Sequence, residues 1–202
     1  MNHRSTQGFT LLEILLALIL LGVLLTLVLS TLLVTQNHQA RADHYLQRLG
    51  EVRAAQHFLR QSIRQTLPIR YPRQGVTDVF TGGPQSLRFA APLPENLGGG
   101  VHWHLLDVAE HGAGRALRVR FESSTAQAWG TPQWLLRDVR TVRLSYRGVD
   151  AAGKRTAWLD HWPWPRRLPR QVRIQVQAEG PVPWTTEIVA LRLDLGGEPS
   201  LP

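Results

Sequence analysis

Glu13 is the first residue whose type and place call for a chemical explanation. It closes the stretch Gly8-Phe9-Thr10-Leu11-Leu12-Glu13, at the head of an apolar run that continues to about Val34 with no further charge before Arg41. A carboxylate on the shoulder of an apolar helix costs ~2.5 kcal/mol or more at a bilayer centre, less towards the edge, and therefore needs a partner. Cleavage after Gly8 would supply one: a new α-amine at Phe9, four residues before Glu13 and on a similar helical face. Within one chain the two groups meet poorly. Between two packed copies, staggered along an assembly axis, amine and carboxylate pair and offset each other's desolvation.

Other candidate chemistry is sparse. His102 and His104 flank Trp103 and share one face of an expected strand, the spacing at which two imidazoles could ligate zinc. A third ligand is not evident nearby, His111 and Asp107 being the candidates, and the expectation is a pair of surface histidines. Asp160-His161 is expected to be a loop pair. The chain has no cysteine, which excludes disulfides, thiolate catalysis and cysteine-ligated metal. Its 15 acidic residues are dispersed, so a calcium cage is poorly supported. Gly-x-Ser-x-Gly, phosphate-loop and dinucleotide fingerprints are absent, and Gly112-Ala113-Gly114-Arg115-Ala116 is too short to substitute for one. Neither an enzyme nor a cofactor is expected.

The elements that must carry these residues follow from periodicity. The apolar run exceeds the roughly 20 residues that a helix needs to cross a bilayer. It is also too long for the core of an ordinary secretory signal, and no small-residue cleavage site follows it. A transmembrane helix over 9–34 is expected, after a short polar leader over 1–8. Beyond Val34 the pattern turns amphipathic. Leu46, Leu49, Val52, Gln56, Leu59 and Ile63 recur at spacings of three and four, with Tyr45, Ala55 and Phe58 beside them. Pro68 should end that helix, which gives an amphipathic half over 35–67.

From Tyr71 the period becomes two. Leu117, Val119 and Phe121 should share a face, as should Val142, Leu144 and Tyr146, and Val172, Ile174 and Val176. Such alternation predicts antiparallel sheet with one dry and one wet face. Ser86–Ala90, Val101–Leu106, Gln133–Arg137 and Thr185–Leu193 are further strand candidates, separated by glycine and proline punctuation. The fold class is α+β: a long N-terminal helix packed on two small antiparallel sheets over 71–195, with an unstructured tail over 196–202. Trp158, Trp162 and Trp164, among Pro163 and Pro165, should form a hydrophobic lid on that core, with a subunit interface as the functional alternative. Leu168-Pro169 should set the entry to the next strand.

The net charge is +8 and the isoelectric point about 11.2, carried by 23 basic residues of which only Lys154 is lysine. The arginines are spread along the chain rather than run together, so the charge is read as compositional, and no nucleic acid is expected as a partner.

The stretch Gly8 to Glu13, joined to an uninterrupted apolar helix, resembles the class III signal of type IV pilins and type II secretion pseudopilins. The resemblance implies that a prepilin peptidase cuts between Gly8 and Phe9 and N-methylates Phe9, and that Glu13 guides subunit addition. Three further features are similar to the J class of minor pseudopilins. Phe58-Leu59-Arg60-Gln61-Ser62-Ile63-Arg64-Gln65 resembles the Leu-Arg-Gln…Arg run that ends the helix in that class, although the acidic residue usual before it is absent. Trp158 to Trp164, then Leu168-Pro169-Arg170-Gln171-Val172-Arg173-Ile174, resembles its tryptophan-rich turn, Leu-Pro step and following strand. The length also suits J, the I class being shorter and the K class longer and typically without the glutamate.

What the resemblance implies is a pilin-like fold and a structural subunit at the tip of a periplasmic pseudopilus, which helps to initiate assembly for protein export across the outer membrane. Implied partners are minor pseudopilins of the I and K classes, with H as a further candidate, the prepilin peptidase, the inner-membrane assembly platform and membrane lipid. The implied location is the bacterial inner membrane, single-pass, with the C-terminal head in the periplasm. The alternative within the superfamily is a minor pilin of a type IV pilus or competence system with a surface- or DNA-binding role.

Overall fold

The computed structural model describes residues 11–72, 75 and 77–193; the side chains of 27–42 and 96 lie outside that description. Gly8, Phe9 and the tail over 196–202 therefore fall outside the described residues. The chain forms two units, Met1–Leu46 and Gln47–Pro202. One helix, α1 (Leu11–Arg64), is assigned across both.

In the first unit every described side chain from Leu11 to Thr26 is exposed, including Leu11, Leu12, Ile14 and Leu15. Among the described residues no helix is long and apolar enough to cross a membrane. The run expected to span passes out of the described side chains after Thr26 and out of the described residues before Leu11.

The second unit carries the core. Its part of α1 buries Val52, Ala55, Leu59 and Ile63, spaced three and four apart, with Leu49 and Phe58 packed beside them. Leu46 does not belong to this stripe: it is 61% exposed, and Tyr45 is exposed as well. The buried face begins at Arg48, because periodicity continues along a helix whether or not anything lies against it. The helix also stops earlier than Pro68 suggested. Arg64 is its last residue, the hydroxyl of Thr66 donates to the Ile63 carbonyl at 2.8 Å, and Leu67 is already extended, its N–H bonded to the Ala90 carbonyl at 2.8 Å. A residue that precedes proline is pushed out of the helical region.

Two antiparallel sheets follow. The first has five strands in sequence order: β1 (Phe80–Gly82), β2 (Leu87–Pro92), β3 (Val101–His111), β4 (Gly114–Glu122) and β5 (Ala128–Leu136). The second has three: β6 (Val139–Arg147), β7 (Gln171–Ala178) and β8 (Glu187–Ala190). The faces read from alternation are the buried ones. Leu117, Val119 and Phe121 of β4 meet Val142, Leu144 and Tyr146 of β6 and Val172, Ile174 and Val176 of β7 in one cluster with the helix stripe. That is sheet on sheet, closed by the second-unit part of α1.

Several boundaries differ from the sequence reading. Strand β1 is three residues long and carries no repeat long enough to show. Strand β5 starts at Ala128, well before the expected Gln133, and its first six residues are exposed. With nothing to bury, they lack alternation. It is an edge strand, paired with β4 alone and shifted in register around Arg120, where Pro132 is tolerated. The first sheet is also not simply wet on its outer face. The segment after α1 folds back so that Tyr71 packs with Ala90 and Trp103 in a second small cluster, the Tyr71 and Trp103 rings edge-on at 5.0 Å.

Candidate functional site

Of the processing and assembly residues expected at the N-terminus, Gly8 and Phe9 lie outside the described residues. Glu13 lies in the first turn of α1 and is exposed on the single chain.

The end of the same helix is held in the head by polar contacts that no periodicity announces. Arg60 pairs with Glu187 of β8 through Nη2–Oε1 at 2.6 Å and Nε–Oε2 at 3.2 Å, and this pairing raises the guanidinium's pKa further. Gln56 donates to the Thr185 carbonyl, and the Arg192 N–H bonds the Arg64 carbonyl at 2.9 Å. Arg60 and Gln61 belong to the Leu-Arg-Gln run, so the run's arginine ties helix to sheet within one subunit. About 18 Å of helix before Arg60, at 1.5 Å per residue, Arg48 is buried at 7% exposure. Its guanidinium donates to the carbonyls of Arg137 at 2.8 Å and Glu179 at 3.1 Å and pairs with Glu51 at 3.0 Å. It thereby ties the helix to the two turns flanking β6 and β7. An arginine on the core side of the apolar stripe was the available signal.

Tyr146 joins the two sheets. Its ring meets Phe80 edge-on at 5.8 Å, and its hydroxyl donates to the Gly83 carbonyl at 2.8 Å. Burial pushes the phenol's pKa above its ordinary range. A Cβ on Gly82 would run into this ring, so glycine is required there by close approach.

The tryptophan-rich turn is the lid that the sequence suggested. Trp162 is buried in the main cluster, its indole N–H donating to the Arg167 carbonyl at 2.8 Å and its backbone N–H to the Gly82 carbonyl at 2.9 Å. Trp164 stands edge-on to it at 4.9 Å, and Trp158 lies under the guanidinium of Arg173 at 4.5 Å. Leu168 and Pro169 are buried behind the lid, and the Arg170 N–H bonds the Arg147 carbonyl at 2.9 Å as β7 opens.

The histidine pair corrects the sequence reading. His102 and His104 are on the core face of β3, not the surface; His104 is wholly buried. Its ring lies among Phe89 at 5.0 Å, Phe121 at 5.0 Å and Phe58 at 6.2 Å. Nδ1 is 3.1 Å from the His102 carbonyl, which can only accept, so Nδ1 carries the proton and Nε2 is bare. Burial lowers the His104 pKa to about 4. Asp107 and His111 are engaged elsewhere: Asp107 pairs with Arg118 at 2.8 Å and Arg120 at 2.9 Å, and the His111 ring packs tilted against Trp134 at 4.5 Å. Partial burial would raise the Asp107 pKa, but the two guanidiniums hold it below the ordinary value. Among the described residues no three histidines, cysteines or carboxylates stand together as metal ligands.

Comparison with known proteins agrees along the chain. The family profile described as "Type II secretion system (T2SS), protein J" matches residues 30–190, and that described as "Prokaryotic N-terminal methylation motif" matches residues 3–29. A "Type II secretion system protein J" of Xanthomonas campestris pv. campestris is 35% identical over 201 residues, covering 94% of this chain and 95% of that one. With the two-sheet head and its N-terminal helix within these matches, the chain belongs to the type II secretion protein J family of minor pseudopilins.

Proposed function

We propose that this pseudopilin is a structural subunit of the pseudopilus tip and helps to initiate pseudopilus assembly for protein export across the outer membrane. As a member of a type II secretion family it works with other pseudopilins and the secretion machinery; the partners proposed for it are the I and K classes, with H as a further candidate, the prepilin peptidase and the inner-membrane assembly platform. The peptidase cuts between Gly8 and Phe9 and methylates Phe9. The apolar helix over 9–34 anchors the subunit in the inner membrane, and the head over 71–195, carried by the helix half over 35–67, lies in the periplasm. Glu13 then receives the methylated amine of a neighbouring subunit, and lateral packing of apolar helices draws the new copy out of the bilayer.

The observation that carries this reading is Glu13 itself: an acid in the first turn of α1, followed by described side chains that are apolar and exposed on the single chain. A charge so placed is tolerable in lipid only with a partner. The test is mass spectrometry of the native N-terminus together with co-purification of the full chain, in neutral detergent, with I-class and K-class pseudopilins. A methylated Phe9 terminus and a recovered complex are expected. An uncut Met1 terminus, or full chain that recovers neither partner, overturns the reading.

A further inference from the structure

The core-facing set of the three-stranded sheet is Val142, Leu144 and Tyr146, Val172, Ile174 and Val176, and Val189. Alternation therefore turns Arg143, Ser145 and Arg147 of β6, Gln171, Arg173 and Gln175 of β7, and Ile188 and Ala190 of β8 to the other face. The register aligns Arg147 with Gln171 and Gln171 with Ala190, and Ser145 with Arg173 and Arg173 with Ile188. Beside this face a cleft of about 350 Å³ is lined by Arg147, Arg155, Arg170, Gln171, Ala190 and Leu191. Arginines scattered from 143 to 173 in the sequence are thus gathered around one surface.

Among the described residues, the nearby acids leave the Arg147 and Arg155 side chains uncompensated. Asp160 reaches Arg143 at 3.6 Å, and the Asp150 carboxylate is taken up by the N–H groups of Ala152 and Lys154 in its own turn. Glu187 is committed to Arg60. The side chains of Arg147 and Arg155, both exposed at the rim, make no hydrogen bond or ion pair with a described residue. Guanidinium forks match carboxylates two bonds at a time, and the apolar floor at Ala190 and Leu191 suits the methylenes of a side chain.

We propose that this arginine-lined cleft docks an acidic, carboxylate-bearing segment of another pseudopilin head. The proposal rests on the reading of this chain as a subunit that binds other pseudopilins, and names the surface and the chemistry. A protein segment fits better than a nucleic acid. The cleft holds one or two side chains rather than a run of phosphates, and the indole of Trp158 is already engaged on one side by the guanidinium of Arg173, which competes with a base for that side.

The test uses the full chain in neutral detergent, with Arg147→Glu/Arg155→Glu as the charge-reversed variant, Arg147→Gln/Arg155→Gln as a milder one, and Arg53→Glu/Arg115→Glu as a control of equal charge change. Each is titrated with hexaglutamate, with an oligothymidylate and with phosphatidylglycerol vesicles, and each is co-purified with I-class and K-class pseudopilins. Reversal of the two cleft arginines is expected to weaken hexaglutamate binding by about tenfold or more and to lower partner recovery, the glutamine variant following in the same direction and the control staying near wild type. Equal loss in the control, or hexaglutamate binding unchanged in both cleft variants, overturns the proposal. So does binding of only the oligothymidylate or the vesicles through these arginines. If the wild type recovers no pseudopilin yet binds hexaglutamate through the cleft, the pseudopilin-complex reading fails and the occupant named here fails with it, while the acid-binding chemistry stands.

Discussion

A Cβ on Gly148 would lie 2.6 Å from the ring of Trp162 and 3.2 Å from the Arg170 nitrogen. Gly148 closes β6 just where the tryptophan lid comes down, and its own N–H bonds the Thr156 hydroxyl at 3.1 Å. The backbone there needs no unusual dihedral angle; it needs space. Packing of the lid on the core therefore depends on a hydrogen atom at this position.

Gly148→Ala is expected to lift Trp162 and to destabilise the head by about 1–3 kcal/mol, the range for a methyl group forced into a packed site. Tryptophan fluorescence and a denaturant midpoint would report it. An unchanged midpoint with unshifted emission would mean that the lid has slack that the contact does not suggest.

His104 makes stability depend on pH. Its folded pKa of about 4 lies below the ordinary 6.5, so between those values the unfolded chain binds a proton that the folded chain refuses. The stabilisation is complete above pH 6.5 and is lost as pH falls through 4, by about 3 kcal/mol at 1.36 kcal/mol per pK unit. His104→Leu should flatten the stability profile between pH 7 and 4.5 and stay within about 1.5 kcal/mol of wild type at neutral pH. A variant profile as steep as wild type would assign the acid sensitivity to other groups.

Arg48 answers two carbonyls and a carboxylate from a buried position. Arg48→Met keeps the stem and removes the charge, which leaves the Arg137 and Glu179 carbonyls without that donor. A loss of about 2–4 kcal/mol is expected, since a hydrogen bond from a charged group contributes about 1.5–3 kcal/mol. Hydrogen exchange should quicken most at the two turns flanking β6 and β7. Uniform quickening across the head would mean that Arg48 acts on global stability only.

The proposed processing and assembly residues separate by phenotype. Replacing Gly8 with a bulky residue should leave the leader on, visible as a heavier product; a normally shortened one would reject the cut site. Glu13→Gln should be cut and inserted normally, yet enter the pseudopilus about tenfold less or worse, because the neighbour's amine loses its counter-charge. Incorporation at the wild-type level would reject the pairing.

Much of this protein was legible before any coordinate. The acid at the head of an apolar run is a local fact, and so is the alternation that puts Leu117, Val119 and Phe121, or Val172, Ile174 and Val176, on one side. A strand's period decides which way a side chain points, and a helix's period decides which residues share a stripe. Neither period says what lies beyond the side chain. Leu46 fits the helical repeat and is exposed, while His102 and His104 fit a polar reading and are buried, because depth depends on what packs from elsewhere in the chain.

The residues that tertiary structure alone decided are those whose partners are far away in sequence. Arg48 meets the carbonyls of Arg137 and Glu179, Arg60 meets Glu187, and Gly82 makes room for Tyr146. The arginines from 143 to 173 look scattered in the sequence and share one surface only once β6, β7 and β8 pair. Composition and periodicity are properties of neighbours along the chain; close approach, burial and the summing of charge are properties of neighbours in space, and only folding makes the second kind.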